Sequence, residues 1–304
     1  MQYLGEEEVR RLLDLDALIG AMRQVLAEFS AGKWNQPVRG VLSQHEGFFG
    51  VMPASGESMG IKMVTFYPGN AGSSLPTHMA VIALFDPKTG EPLALMDGRY
   101  ITEMRTAAVS AVATDALAAR DAKVLTLLGA GVQATAHLEM LPRVRSFEEI
   151  RVWNHHPEKA QQFAEQHGAK AMELEGAVRD ADVIVTATSA REPILKGAWL
   201  KPGAHVNAVG ASRPDWRELD DAAMGNAVIV DSYAGARKES GDVILSGATP
   251  FAELGEILNG IKRVEAGRTT VFKSLGMAVE DVAAARLVYD AMMQQHGDGL
   301  TPGR

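Results

Sequence analysis

From Lys123 to Asp231 the chain keeps one rhythm, a short apolar run followed by a turn and a helix, then another apolar run. The runs are VLTLL, EIRVW, DVIVTAT, AHVNAVG and AVIVD. Strands with so few polar interruptions are those covered on both faces, and strands alternating with helices build a doubly wound parallel sheet. This pattern predicts a Rossmann-type α/β domain over 116–277, and it limits what the rest of the chain can be.

The first run leads into Gly129-Ala130-Gly131-Val132-Gln133-Ala134, a GxGxxA turn between a strand and a helix. In that context Gly129 allows the tight turn, Gly131 leaves room for a pyrophosphate against the backbone, and Ala134 permits close helix packing. The helix start beyond offers N–H groups and the positive end of a dipole. Gly129, Ala130, Gly131, Val132 and Gln133 are therefore expected to touch a dinucleotide; an ordinary strand-to-helix turn is the other reading. The second run ends in RVWNHHPEK, where Asn154, His155 and His156 replace the acidic residue that would accept a ribose hydroxyl pair. Neutral or protonated side chains there accept a 2′-phosphate, so NADPH is expected and NADH is the alternative. No arginine stands in the string, and two solvated loop histidines are its plainer reading.

The region before Lys123 has a different grammar. Val9, Leu12, Leu13, Leu18, Ile19, Met22, Val25, Leu26 and Phe29 recur at helical spacing and predict one or two amphipathic helices before Gly32. FFGVMP, GIKMVTFY, HMAVIALFD and EPLALMD then read as strands of a largely antiparallel sheet, with DPKTGEP as a hairpin turn. An Ala-rich helix follows over about Arg99 to Ala119, and a last amphipathic helix from Met277 to about Gln294 returns to this part. The expected organisation is a discontinuous α+β domain, 1–115 with 278–304, around the Rossmann domain; GDGLTPGR reads as a frayed tail.

Net charge is -8, which argues against nucleic acid and requires any anionic substrate to be held by local cations. There is no cysteine, so disulfides, thiolate metal sites and a cysteine nucleophile are excluded. No apolar run reaches the ~20 residues of a membrane span. The acidic, amphipathic start MQYLGEEEVRRLLDLDALI does not read as a signal peptide, and the expectation is a cytoplasmic protein without metal, membrane or nucleic-acid partners.

Several long strings carry a resemblance: LLGAGVQA, GASRPDWRELDD, KESGDV, LSGA, FAELGEI and TTVFKSLGMAVED. Together, over about Pro37 to Asp290, the chain resembles the ornithine cyclodeaminase and mu-crystallin family, and within it the ketimine reductase branch. The resemblance implies a homodimer whose first domain supplies the dimer sheet and substrate pocket. It places Arg39, Lys62 and Arg105 on substrate-binding positions, and Thr106, Val209, Gly210 and the Ser274-Leu275-Gly276 turn beside the cofactor.

Physical chemistry reaches the same cations. A carboxylate in a closed pocket needs charge-assisted, preferably bidentate, donors. Arg105 sits in an Ala/Val/Thr-rich helix, costly for a charge without a partner. The structural readings are a surface Arg39, a snorkelling Lys62, and an Arg105 paired with Glu103 or Asp97. Hydride attacks an imine carbon readily when the nitrogen is protonated, which makes Lys62 the candidate proton donor and His78 the runner-up. Cyclodeaminase and alanine dehydrogenase members carry an aspartate where this chain has Ser212; Asp215 belongs to the following turn. A serine cannot be that base, which favours reduction of a preformed imine, with Ser212 left to hydrogen-bond substrate.

The leading reading is an NAD(P)H-dependent reductase of cyclic ketimines and α-imino carboxylic acids, acting on a small-molecule imine or amino acid. An amino-acid dehydrogenase or reductive aminase is the enzymatic alternative. A cofactor-loaded binding protein of the thyroid-hormone type is the alternative of another class.

Overall fold

The computed structural model describes residues 1–298. The tail read from GDGLTPGR lies outside the described residues from Gly299 onward. By its internal contacts the chain divides into two compact units, one of residues 1–105 with the segment from Met277 onward, the other Thr106–Gly276.

The first unit is built on a sheet of six strands: β1 (Gln2–Leu4), β2 (Gly40–Gln44), β3 (Gly47–Ser55), β4 (Met59–Phe66), β5 (His78–Phe85) and β6 (Pro92–Asp97). Their order is β1-β6-β5-β4-β3-β2, antiparallel except where β1 runs parallel to β6. From Gly50 to Ala54 in β3, Gly60 to Val64 in β4 and Ala80 to Leu84 in β5 every second residue is buried, because one face packs on the C-terminal helix Ala278–Asp298. That helix also packs on the helix Leu15–Ser30, whose Leu18, Met22, Val25 and Leu26 form its buried stripe. Asp14 caps this second helix by accepting from the Ala17 N–H at 2.7 Å. The two-helix alternative for the N-terminus is the one found, with a short helix Glu6–Leu12 preceding.

The second unit holds a wholly parallel sheet: β7 (Val124–Leu128), β8 (Glu149–Trp153), β9 (Lys170–Ala171), β10 (Val183–Thr186), β11 (His205–Ala208), β12 (Ala227–Val230), β13 (Ala252–Glu253) and β14 (Thr270–Lys273). The order is β13-β12-β14-β11-β10-β7-β8-β9, so successive strands leave β7 first to one side and then to the other. Ligands of such sheets bind at that switch point, outside the carboxyl ends of the strands. Here it falls at the Gly129 turn.

Two differences from the expectations have physical reasons. β14, between β11 and β12, lies in a string read for its glycine turn rather than as a strand. The helix Arg99–Leu117 is divided at 105/106 rather than at 115/116. Its second half bonds into the parallel-sheet unit: Ser110 Oγ meets His137 Nε2 at 2.8 Å, and Asn207 Nδ2 donates to Thr114 Oγ1 at 2.9 Å. No described helix is long and apolar enough to cross a membrane.

Candidate active site

In the first unit, Lys62 occupies β4 on the face that alternation sends inward, with Gly60 and Val64 as its same-face neighbours. Its ammonium lies 2.6 Å from Asp281 Oδ2 and 3.5 Å from Thr102 Oγ1. Arg105 closes the group. Its Nε donates to Asp281 Oδ1 at 2.9 Å and its Nη1 to Glu280 Oε2 at 2.7 Å. All four charged side chains are almost entirely removed from solvent. The partners of Arg105 are thus Asp281 and Glu280, not Glu103 or Asp97: Glu103 accepts from Arg99 Nε, and Asp97 from the Arg99 N–H.

Burial pushes the Lys62 ammonium down to about 8, against the pull of Asp281, and Arg105 and Arg39 add to the depression. Burial alone would raise the Asp281 carboxyl, but Arg105 and Lys62 hold it below its ordinary value. Arg105, despite burial, is raised by the two carboxylates. His78, at the start of β5, is lowered to about 4 by desolvation and by the charges of Lys62 and Arg105, which leaves it a neutral imidazole near pH 7. Arg39 is half-buried just before β2, and Met52 is the cross-strand neighbour of Lys62.

In the second unit a cleft of about 490 Å³ opens at the switch point, lined by the Gly129–Gly131 turn, the Trp153–His156 corner, Lys159 and the Ala187–Ala190 loop. The two glycines do different work. Gly129 has φ +122°, and a Cβ there would lie 2.5 Å from Ala187 O. A Cβ on Gly131 would meet nothing within 4 Å, because that side faces open space. Gly131 is also the N-cap of the helix Val132–Met140 and brings no side chain to its first N–H groups. Gln133 Oε1 is buried there without a partner among the described residues. Room beside a helix start whose first N–H groups have no side-chain cap fits a bound pyrophosphate.

At the cleft's far corner Asn154 Oδ1 accepts from the His156 N–H at 2.9 Å, so this side chain shapes the turn. His155 and His156 are exposed, with ring centroids 5.1 Å apart. Lys159, four residues after His155, lines the same corner; sequence reasoning missed it because it sought an arginine.

Ser274, Leu275 and Gly276 follow β14 directly. The N–H groups of Leu275 and Gly276 both donate to Asp231 Oδ2, at 2.6 and 2.8 Å, and Gly276 has φ +79°. Asp231, at the end of β12, was not singled out in the sequence; its buried carboxylate sets the shape of this turn. Val209 and Gly210 donate to Thr186 O at the end of β10, and Ser212 is exposed on the loop beyond them. Thr106, next to Arg105, is half-buried in its helix.

The chain is 52% identical over 302 residues to the ketimine reductase mu-crystallin of Mus musculus, covering 95% of this chain and 96% of that one. It also resembles the Thermococcus litoralis Delta(1)-pyrroline-2-carboxylate reductase solved with NADH and L-proline, with a TM-score of 0.92, 36% identity, and coverage of 97% and 98%. An archaeal alanine dehydrogenase dimer with bound NAD matches with a TM-score of 0.92, 33% identity and 97% coverage of each chain. The model of the ornithine cyclodeaminase/mu-crystallin family matches residues 2–296, and this chain belongs to that family.

Proposed function

We propose that this protein reduces cyclic ketimines and other α-imino carboxylic acids to L-amino acids with a nicotinamide dinucleotide, NADPH in preference to NADH. The observation that supports this best is Lys62, a buried ammonium lowered to about 8 beside an arginine, in a chain this similar to a ketimine reductase. The dinucleotide would lie along Gly129–Gln133, Asn154–His156 and Lys159, with Val209, Gly210 and the Ser274–Gly276 turn in contact with it. When bound, it supplies the hydride.

The chain's own residues do the rest. Arg105, with two nitrogens fixed by Asp281 and Glu280, presents Nη2 as the nitrogen neither carboxylate engages, and it anchors the substrate carboxylate with Arg39. Lys62 holds a proton at Nζ and delivers it to the imine nitrogen, while Asp281 keeps the ammonium in place. His78 is neutral and serves as a wall rather than as an acid. Ser212 supplies a hydroxyl where a base would be needed for adding ammonia or water, so the dehydrogenase and cyclodeaminase readings stand lower.

We further propose a homodimer, as in the archaeal alanine dehydrogenase structure, and a cytoplasmic location; light scattering and cell fractionation test these. The decisive assay follows NADPH oxidation with five- and six-membered cyclic imines bearing a 2-carboxylate, and with keto acids plus ammonia. Turnover of the imines alone supports the reading. Faster turnover of keto acids with ammonia overturns it in favour of the dehydrogenase, and tight dinucleotide binding without any turnover favours a binding protein.

A further inference from the structure

Behind the wall of the nucleotide cleft lies a set of buried charges that the reaction as proposed does not use. Glu218, Asp242 and Lys273 are each 0% exposed. Glu218 Oε1 accepts from both the N–H and the hydroxyl of Thr188 at 2.7 Å, and its Oε2 accepts from Thr186 Oγ1 at 2.7 Å. Asp242 Oδ1 accepts from the N–H groups of Glu218 and Leu219 at 2.9 and 3.0 Å, and its Oδ2 lies 3.1 Å from Lys273 Nζ. Lys273 in turn donates to Gly210 O.

The chain of contacts therefore runs from Thr188, which lines the cleft, through Glu218, Asp242 and Lys273 to Gly210, where the Ser212 loop begins. It leaves no slack. A Cβ at Gly210 would lie 2.3 Å from Thr188 O and 2.5 Å from Glu218 Oε1. The far end of the same loop is gripped as well: the Gly241 N–H donates to Arg213 O at 3.0 Å, and a Cβ at Gly241 would lie 2.0 Å from Trp216 O. Well-packed apolar residues would serve stability at least as well as three buried charges, so stability alone does not account for them. What charge-assisted bonds add is fixed direction.

We propose that Glu218 is a positioning residue for the dinucleotide, holding the Thr188 wall of the cleft and the Gly210 turn in one fixed relation, with Asp242 and Lys273 anchoring it from behind. The inference rests on the cleft being a dinucleotide site. Burial raises the Glu218 carboxyl, with Lys273 and the threonine hydroxyls pulling it back, so a neutral glutamine is an apt replacement. Its amide oxygen can accept from Thr188 while its NH₂ donates to a rotated Thr186 hydroxyl.

The test uses full-length Glu218→Ala, Glu218→Gln and Thr186→Val, the last removing one bond to Glu218 without touching the cleft. NADPH binding is followed by quenching of tryptophan emission, since Trp153 lines the cleft, alongside steady-state kinetics. Glu218→Ala is expected to weaken NADPH binding by about tenfold or more and raise its KM in step, with kcat at saturating NADPH changed less than threefold. Glu218→Gln should restore binding to within threefold of the parent, and Thr186→Val should fall between them. If Glu218→Ala does not fold, the ranking of Thr186→Val below the parent decides. NADPH affinity unchanged in the folded variants, with only thermal stability lowered, overturns the inference and leaves the dinucleotide reading standing. Failure of the parent to bind any nicotinamide dinucleotide overturns both.

Discussion

The Lys62 ammonium and the Asp281 carboxylate meet at 2.6 Å, one on a strand and the other near the start of the C-terminal helix, and neither reaches solvent. The pair keeps a proton in a place where burial would otherwise remove it.

A donor acts only in its protonated form, and the Lys62 ammonium is lowered to about 8. Turnover of imines should therefore be full below about pH 8 and fall roughly tenfold per pH unit above it. Lys62→Met should lower the hydride-transfer step by about 10²–10⁴-fold and abolish this alkaline limb. The loss should be smallest at low pH, where the imine is already protonated in solution. Single-turnover rates across pH for carboxylated and carboxylate-free imines check this; an effect confined to carboxylated substrates would make the lysine an anchor instead.

Arg105→Ala would strip a cation from two buried carboxylates and cost stability by about 3–5 kcal/mol, whatever it does to catalysis. The informative change is Arg105→Lys, which keeps the charge but loses the fork. It should lower kcat/KM for α-imino acids by about 10²-fold and leave imines without a carboxylate nearly unaffected. A matched substrate pair, with and without the acid, measures the difference.

Gly131→Val should fold with an unchanged melting temperature, because its Cβ meets nothing, yet lose dinucleotide binding. Gly129→Ala should fail in the opposite sense, destabilising the chain through a positive φ and a backbone clash at Ala187. Calorimetry and a nucleotide titration on the two variants separate space kept for a ligand from space used by the fold.

Lys159→Ala should weaken NADP⁺ by about fivefold, more at low salt than at high, with NAD⁺ unchanged. The motive is the lysine's place at the corner with His155 and His156. Equal loss for both dinucleotides would remove the 2′-phosphate from that corner.

His137 and His205 are buried and lowered to about 4, first of all by desolvation. Below the ordinary histidine value of 6.5 the unfolded chain binds protons that the folded chain refuses, so stability falls as pH drops from 6.5 toward 4. Each contributes a loss of about 3 kcal/mol over that window. About 2 kcal/mol of each loss falls between pH 7 and pH 5, so urea midpoints at those two pH values should differ by that much per histidine, and His137→Gln should shrink the difference.

What was legible in the sequence was local. Gly129 to Ala134 declares its turn because glycine spacing and the flanking apolar run lie within one short string, and the same holds for β3 to β6 and for most of the parallel strands. The partners of Arg105 were not legible, since Asp281 and Glu280 stand 176 and 175 residues away and no spacing rule links them. β2 escaped notice because an exposed edge strand has no buried alternation to reveal it. β14 and Asp231 were hidden for a different reason: a strand inserted between earlier ones, and a carboxylate shaping a later turn, are facts of topology rather than of pattern.

Lys62 and Arg105 with Asp281 and Glu280 make two positive and two negative side chains, buried as one group. Arg39, whose positive charge also reaches Lys62, adds a third cation, so the group holds one positive charge in excess before anything binds. A substrate with one carboxylate and an unprotonated imine brings the balancing charge. The proton that Lys62 passes to the imine nitrogen then moves within a group whose net charge stays the same. An imine without a carboxylate leaves the excess unanswered in a low-dielectric setting, so substrate selection is partly a matter of charge parity, settled before shape is consulted.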